Sequence, residues 1–479
     1  MKASDLAVLL PIIVLSGASV LIMLVIAFYR HHLLTAVLTA AGLVLALGAI
    51  GFVAPMLPLE ITPLIIMDGY ALFFMALMVA ACLVVVLISY GYLNGREGHQ
   101  EEYYVLMLLA ATGATVLVAS SHFASFFLGL EILSVSLYVL IAYPRRSVIS
   151  IEAGVKYLVL AATSDAFLLF GMALIYGQTG SLQFQQIAAD SANGNSAILL
   201  AGTALLITGI GFKLSLVPFH MWAPDVYEGA PAPVTGFIAT VSKGAIFALL
   251  FRYVFQLDVG VRADFVLVLG IIAVASMIVG NLLALLQNNL KRILAYSSIA
   301  HLGYLLVALL ASGPLALTAA SYYLVAYFIT ILGAFGVITV LSSGERDTDM
   351  LDEYRGLGWQ RPWLAGTLTA MLLSLAGIPL TAGFIGKFYV LAAGIGSSLW
   401  VLVTTLVVTS VIGLFYYLRV IVTMYSLPTV GAVEEAGRGR ETSLAAGVVL
   451  VALTVLLVWL GVYPVTLMDI IEVTVARLS

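Results

Sequence analysis

Apolar residues run along this chain in blocks separated by short polar intervals. The blocks are about 20 residues long, the length a helix needs to cross the hydrocarbon core of a bilayer. None shows the two-residue alternation of a membrane β-strand. In lipid a segment must satisfy its own backbone polar groups, so blocks of this kind predict helices. They fall at roughly 6–28, 34–55, 70–93, 103–120, 123–143, 150–176 and 196–218. They continue at roughly 233–255, 263–287, 290–311, 316–342, 362–394, 398–426 and 443–463. The pattern predicts an all-α polytopic membrane protein of fourteen transmembrane helices, with the seventh and twelfth interrupted.

The interruptions echo one another. "LSLVP" at 214–218 recurs as "LSLAGIP" at 373–379, each inside an apolar block with a proline and a nearby lysine, Lys213 and Lys387. Broken helices at corresponding places in two halves suggest inverted repeats. The breaks are five helices apart, an odd offset that starts the two segments from opposite sides of the membrane. The expected organisation is therefore helices one to three over 1–102, a first five-helix half over 103–255, an inverted half over 256–426, and a last loop, helix and tail over 427–479.

Composition agrees with a chain held mostly in lipid. It is 63% hydrophobic and 9% charged, with mean hydropathy +1.15; a soluble chain is about 25% charged. The single Cys82 excludes an internal disulfide, and no Cys/His cluster or strand–G-x-G-x-x-G–helix unit is present. No redox cofactor, nucleotide or metal is expected in this chain. The net charge of −4 says little about partners, and none of them is expected to be nucleic acid.

Charge placement orients the helices. Arg30, Arg96, Arg145, Arg146, Lys291, Arg292, Arg346, Arg355, Arg361, Arg438 and Arg440 fall on one predicted side, against Lys2, Arg262 and Arg477 on the other. By the positive-inside rule the eleven mark the inner face. That puts both termini outside, with the first helix retained. The stretch "SSGERDTDMLDEYRGLGWQRP" reads as a solvated inner loop.

Lysine and arginine are sorted differently. Most arginines lie in loops or at helix ends, whereas Lys156, Lys213, Lys243 and Lys387 lie within apolar segments, as does Glu131 in "FFLGLEILSVSLY". A buried lysine can release its proton and arginine cannot. Ionisable groups at membrane depth face one another or water and mark ion or proton paths. Each has a plainer reading. Glu131 serves equally as half of a structural ion pair. Lys156 follows Glu152 by four residues, so the two can simply pair on one helix face, or Lys156 can snorkel. Lys213 and Lys387 can satisfy carbonyls freed by the breaks, and Lys243 can be a packing polar site beside Ser242. His220 and His301 suit either a relay or a structural hydrogen bond. Asp225 and Glu228, after the first break, read as gate, cap or solvated loop. Asp165 is a lone acid in helix six with no assigned role.

The run "GFKLSLVPFHMWAPDVYEGAPAPV", followed by "SKGAIF", resembles the antiporter-like membrane subunits of respiratory complex I, the proton-pumping NADH-quinone oxidoreductase. "FLGLEILSVSLYVLIAY", "NNLKRILAYSSIAHLGYLLVAL" and "LSLAGIPLTAGFIGKFYVL" share the likeness, which spans nearly the whole chain. "DVYEGAPAPV" and the lysine at 387 favour the subunit N branch over its sisters and over the Mrp-type sodium/proton antiporters. The resemblance implies that Glu131 pairs with Lys213, that Lys243 continues a central polar axis, and that Lys387 is its terminal lysine. It gives secondary places to Lys156 and His220, with His301 as a further relay candidate from its polar stripe. It implies a proton-translocating subunit in a bacterial inner membrane. Neighbouring antiporter-like and small membrane subunits would be its partners. FMN, iron–sulfur clusters and quinone would lie elsewhere in the complex. The alternative is a subunit of an Mrp-type monovalent cation/proton antiporter.

Overall fold

The computed structural model describes residues 3–57, 59–94, 96, 98–191, 197–256, 259–342, 346–427 and 443–475. Lys2, Arg438, Arg440 and Arg477 lie outside the described residues, as does the side chain of Arg262. Within them, twelve helices are long and apolar enough to cross a membrane. Three shorter apolar helices accompany them: Ala197–Lys213, Pro362–Ala376 and Ala382–Gly396. The first is the front half of the predicted seventh segment, and the other two are the halves of the predicted twelfth. A two-residue-turn hairpin, Leu59–Thr62 with Ile65–Met67, is a small addition to the helical plan.

Burial sorts the helices radially. Ala232–Gln256, Leu290–Leu310 and Leu315–Leu341 are buried over nearly their whole length, whereas Leu10–Phe28 is mostly uncovered. The central helices carry Lys243, Ser297, Ser298, His301, Tyr323 and Tyr327. The outer ones present Leu21, Met23, Val44, Leu45, Phe170 and Val411 outward. Lipid is as apolar as these side chains, so polar residues collect where protein, not lipid, surrounds them.

The first break begins at Lys213, five residues before Pro218. Pro218 denies its predecessor helical backbone angles, and the chain turns irregularly through Ser215, whose φ is +53°. The Trp222 indole donates to the Phe212 carbonyl at 2.8 Å, satisfying one acceptor that the lost helix leaves open. Helix resumes at Trp222–Gly229, which holds Asp225. In the second break Gly377 has φ +85°. A Cβ there would lie 2.9 Å from Lys387 Cδ, so the backbone conformation favours glycine and a side chain would displace Lys387. Between the breaks, Ile238–Ser242 forms a π-helical turn directly before Lys243. Such turns are uncommon and often occur at functional positions.

The polar stretch after residue 341 is not the solvated loop its composition suggests. Asp347 accepts from Tyr92 Oη at 2.7 Å, Lys291 Nζ at 2.9 Å, the Ala232 amide at 2.9 Å and Arg96 at 3.4 Å. Asn289 and Met350 form a backbone bridge, and the segment continues into the short helices Leu351–Tyr354 and Leu357–Gln360. These four donors hold Asp347, and with it the loop, down onto the helix ends. Burial alone would raise the Asp347 pKa. The opposing charge of Lys291, with hydrogen bonds from Lys291 and Tyr92 and the charge of Arg96, holds it below the usual carboxylate range. On the opposite face Arg252 makes a two-pronged pair with Asp68, at 2.7 and 2.9 Å, tying the start of Gly69–Leu93 to Lys243–Gln256.

Candidate functional site

The buried charges form a row through the middle of the protein, built from the helices on either side of the two breaks. At one end stands Lys213, buried at the last position of its half-helix. Its ammonium lies 2.8 Å from Asp165 Oδ1 and donates to Asp165 Oδ2 at 3.0 Å and to Ser134 Oγ at 3.1 Å. Asp165 sits on the long helix Val148–Thr179, which packs along Ala197–Lys213. Glu131, one turn before Ser134 on Phe123–Ile141, lies close to both Asp165 and Lys213. The expected direct Glu131–Lys213 pair is therefore replaced: Asp165 is the partner in contact, and Glu131 stands beside it.

Lys243 follows. It is 1% exposed and donates to Ser215 Oγ at 2.6 Å, on the turn just past Lys213, and to Ser298 Oγ at 2.9 Å. The ring of Tyr227 faces the ammonium at 5.1 Å. No carboxylate contacts it among the described residues. Neutral hydroxyls and the aromatic faces of Tyr227 and, at 5.9 Å, Trp222 support it among the described residues, a weak substitute for water around a cation.

From Ser298 the row continues through Tyr327, whose hydroxyl donates to Ser298 Oγ at 2.8 Å. Tyr327 also lines a cavity of about 10 Å³ with His301, Thr330, Ser374 and Lys387. That is room for about one water. His301 meets Tyr323 Oη at 2.6 Å and Tyr417 Oη at 3.2 Å, so both ring nitrogens are engaged. Lys387 closes the row. It donates to the Leu375 and Ala376 carbonyls at 2.8 and 3.0 Å and to Ser410 Oγ at 2.7 Å. The two carbonyls end the half-helix Pro362–Ala376, where the helix dipole is negative and favours a cation. The carbonyl-satisfying arrangement expected of a lysine at a break is thus realised at Lys387 and not at Lys213.

The remaining sequence-selected residues lie off this row or unbonded beside it. Lys156 is 44% exposed and contacts Glu152 at 2.8 Å and Asp225 at 2.9 Å. Asp225 also pairs with Arg292 at 2.9 Å, and Glu228 with Arg292 at 2.7 Å, so Asp225 is a bridge between two cations. His220 is buried in the first break. Its ring lies near the Pro218 carbonyl, but neither nitrogen makes a well-formed hydrogen bond with a described residue. Sequence reasoning left Asp165 unassigned, although a signal existed. Asp165 follows Lys156 by nine residues, and at about 100° per residue they occupy opposite helix faces. With Lys156 turned outward beside Glu152, Asp165 turns inward.

Residues 120–413 match the family described as NADH:quinone oxidoreductase/Mrp antiporter, transmembrane. A curated relative from Nitrosospira multiformis, NADH-quinone oxidoreductase subunit N, is 54% identical over 98% of this chain and 96% of its own. Subunit N from Ectopseudomonas mendocina is 49% identical over the same shares. Among solved structures, respiratory complex I from Thermus thermophilus has a chain 32% identical with TM-score 0.80, covering 96% of this chain and 98% of that one. The Mrp complex from Dietzia shares the fold at TM-score 0.86 with 22% identity, over 98% of this chain and 96% of that one. The chain belongs to the NADH:quinone oxidoreductase/Mrp antiporter family of membrane subunits, and within it to the group of NADH-quinone oxidoreductase subunit N.

Proposed function

We propose that this chain is the proton-translocating subunit N of an NADH:quinone oxidoreductase, and that Glu131, Asp165, Lys213, Lys243 and Lys387 carry the proton. The observation that carries the reading is the run of hydrogen bonds from Lys243 to Ser298 and Tyr327, ending at the water-sized cavity beside Lys387. Chemistry at a distant redox site would be felt here as a change in field along the row. If it drew Asp165 and Glu131 away from Lys213, the ammonium would lose its counter-charge, and a buried ammonium without one gives up its proton more readily. Ser215 and Lys243 are the next groups along, and Tyr327 with a water in the cavity would complete the route to Lys387. His301 would hold the tyrosines in place, and His220, unbonded in the break, would be free to bridge when the turn shifts.

The chain would work among neighbouring membrane subunits and the redox arm that carry FMN, iron–sulfur clusters and quinone. Its site would be a bacterial inner membrane with both termini outside and the arginine-rich face inside. Residues 103–255 and 256–426 would be its inverted halves, within a fourteen-helix plan. The Mrp-type antiporter is the weaker reading, because the relatives that share about half of this sequence are subunit N, and the Mrp likeness is one of fold. Proton uptake into proteoliposomes, followed with NADH oxidation by the intact complex, tests the assignment. Lys213→Met and Lys243→Met should abolish this chain's contribution to pumping with the complex assembled. Undiminished pumping in both would remove it.

A further inference from the structure

The arginine-rich face holds a cavity of about 590 Å³ that the proton row does not use. It opens among the residues that end Gly69–Leu93, start Glu101–Ala119, and join Phe123–Ile141 to Val148–Thr179. By length these are positions where membrane gives way to water. Its lining includes Arg96, Arg145, Arg146 and Arg346 together with the rings of Tyr103 and Tyr143, and no described lining residue is acidic. The size lies within the range of small-molecule sites.

The arginines are held in different ways. Arg96 stacks on the Tyr92 ring, 3.6 Å from its centre, and reaches Asp347 at 3.4 Å, so its guanidinium is fixed in place at the cavity wall. Arg346 is exposed and pairs with Glu353. Arg145 is exposed and makes no ion pair among the described residues. Four arginines lining one cavity suit the oxygens of a phosphate, which guanidinium groups bind two-pronged and which a carboxylate-lined cavity would repel. Tyr143, half-buried at the cavity wall, suits the boundary between a lipid headgroup and its chains. We propose that this cavity binds a phosphate group, that of an anionic phospholipid headgroup. The inference is independent of the proton route, since none of its residues lies in the row.

The test uses the delipidated intact complex in detergent, titrated with radiolabelled phosphatidylglycerol. The site is read as the difference between wild type and Arg145→Ala with Arg346→Ala. Removing each arginine should weaken binding at this site on the order of five-fold. Phosphatidylcholine should not compete, and Arg355→Ala, on the same face but outside the cavity, should leave binding unchanged. Equal isotherms for wild type and the double variant would overturn the proposal, as would an equal loss in Arg355→Ala. If millimolar inorganic phosphate displaces the lipid completely, the phosphate chemistry stands and its source is free phosphate. Should the alanine pair fail to assemble, Arg145→Lys with Arg346→Lys keeps the charge and removes the fork. It should give a smaller but measurable loss, and no loss at all would again overturn the site.

Discussion

Each broken helix holds a buried lysine near its break, Lys213 at the end of the half-helix before it and Lys387 inside the half-helix after it, and the two keep opposite company. Lys213 faces a carboxylate, Asp165, with a second one, Glu131, close by. Lys387 has no acidic contact among the described residues and leans on two helix-end carbonyls and a serine. A full counter-charge holds a buried ammonium firmly, but it leaves a large penalty if the pair is opened. Carbonyl dipoles hold it more weakly and are part of the fixed backbone. The first break is thus built to respond to movement of an acid. The second is built to take up or release a proton with its surroundings fixed.

Asp165→Asn should do the greatest damage to that contrast. It leaves Lys213 buried without its contacting carboxylate, a loss of about 3–5 kcal/mol for a broken buried pair. Glu131→Gln leaves the Asp165 contact in place and should cost less. Yields of assembled complex, with pumping per NADH oxidised, rank the two. Adding Lys213→Met to Asp165→Asn should restore assembly without restoring pumping, because the uncompensated charge is gone. A larger assembly defect from Glu131→Gln would make Glu131 the main partner after all.

Lys387→Met comes next. It strips the Lys387 donor from both the Leu375 and Ala376 carbonyls; Ala376 keeps a bond from Ser410 at 3.4 Å, so about 1–3 kcal/mol is expected for the one acceptor left unsatisfied. Ser410→Ala removes one of the three bonds to the ammonium and should cost about 1 kcal/mol. Pumping should stop in the first and persist in the second. Thermal inactivation of NADH oxidation in the purified complex gives the stability order. Equal effects would mean that the serine, not the carbonyl pair, anchors this lysine.

Much of this contrast was legible in the chain. The lysines stand out because four cations within apolar segments are costly, and the breaks stand out because Pro218 and the Gly377–Pro379 pair forbid regular helix. The partners were harder to read. Glu131 lies in a stretch that resembles the family, whereas Asp165 reads as a lone acid on the helix face opposite Lys156, and the packing of Val148–Thr179 against Ala197–Lys213 brings it to the ammonium. Asp347 was lost for a similar reason. Its stretch has the polar composition of a solvated loop, and its four donors come from residues far away in sequence. The π-helical turn before Lys243 has no clear signal in "IATVS", since it depends on how the helix is gripped by its neighbours. Arg252, left out of the charge count, is explained only by Asp68 lying opposite.

Asp347 extends the comparison to a third charge site, one outside the membrane spans where pH can be varied directly. Its carboxyl is held below the ordinary value. A depressed pKa contributes stability that is complete above the unfolded value and is lost as pH falls through the folded one. Thermal stability of this face should therefore fall in the acid range below the usual carboxyl pKa. Asp347→Asn should lower stability at neutral pH and flatten that acid dependence. Hydrogen exchange at 346–361 and at the start of Ala232–Gln256 reports it locally. An unchanged acid slope in the variant would shift the effect to another group.

The smallest effect belongs to Lys156, and it separates a surface pair from a proton carrier. Lys156 is 44% exposed and shared between Glu152 and Asp225. Exposed helix pairs four residues apart are worth about 0.3–0.5 kcal/mol. Glu152→Gln should therefore change stability by no more than that and leave pumping intact. Asp225→Asn should cost more, because it also releases Arg292. Lys156→Gln is the decisive variant. If the row runs through Lys213, Lys243 and Lys387, pumping should fall far less than in Lys213→Met. Complete loss in Lys156→Gln, with the complex assembled, would extend the route to the outer face of Val148–Thr179. The Asp225 bridge would then be a gate between Lys156 and Arg292, not a clasp.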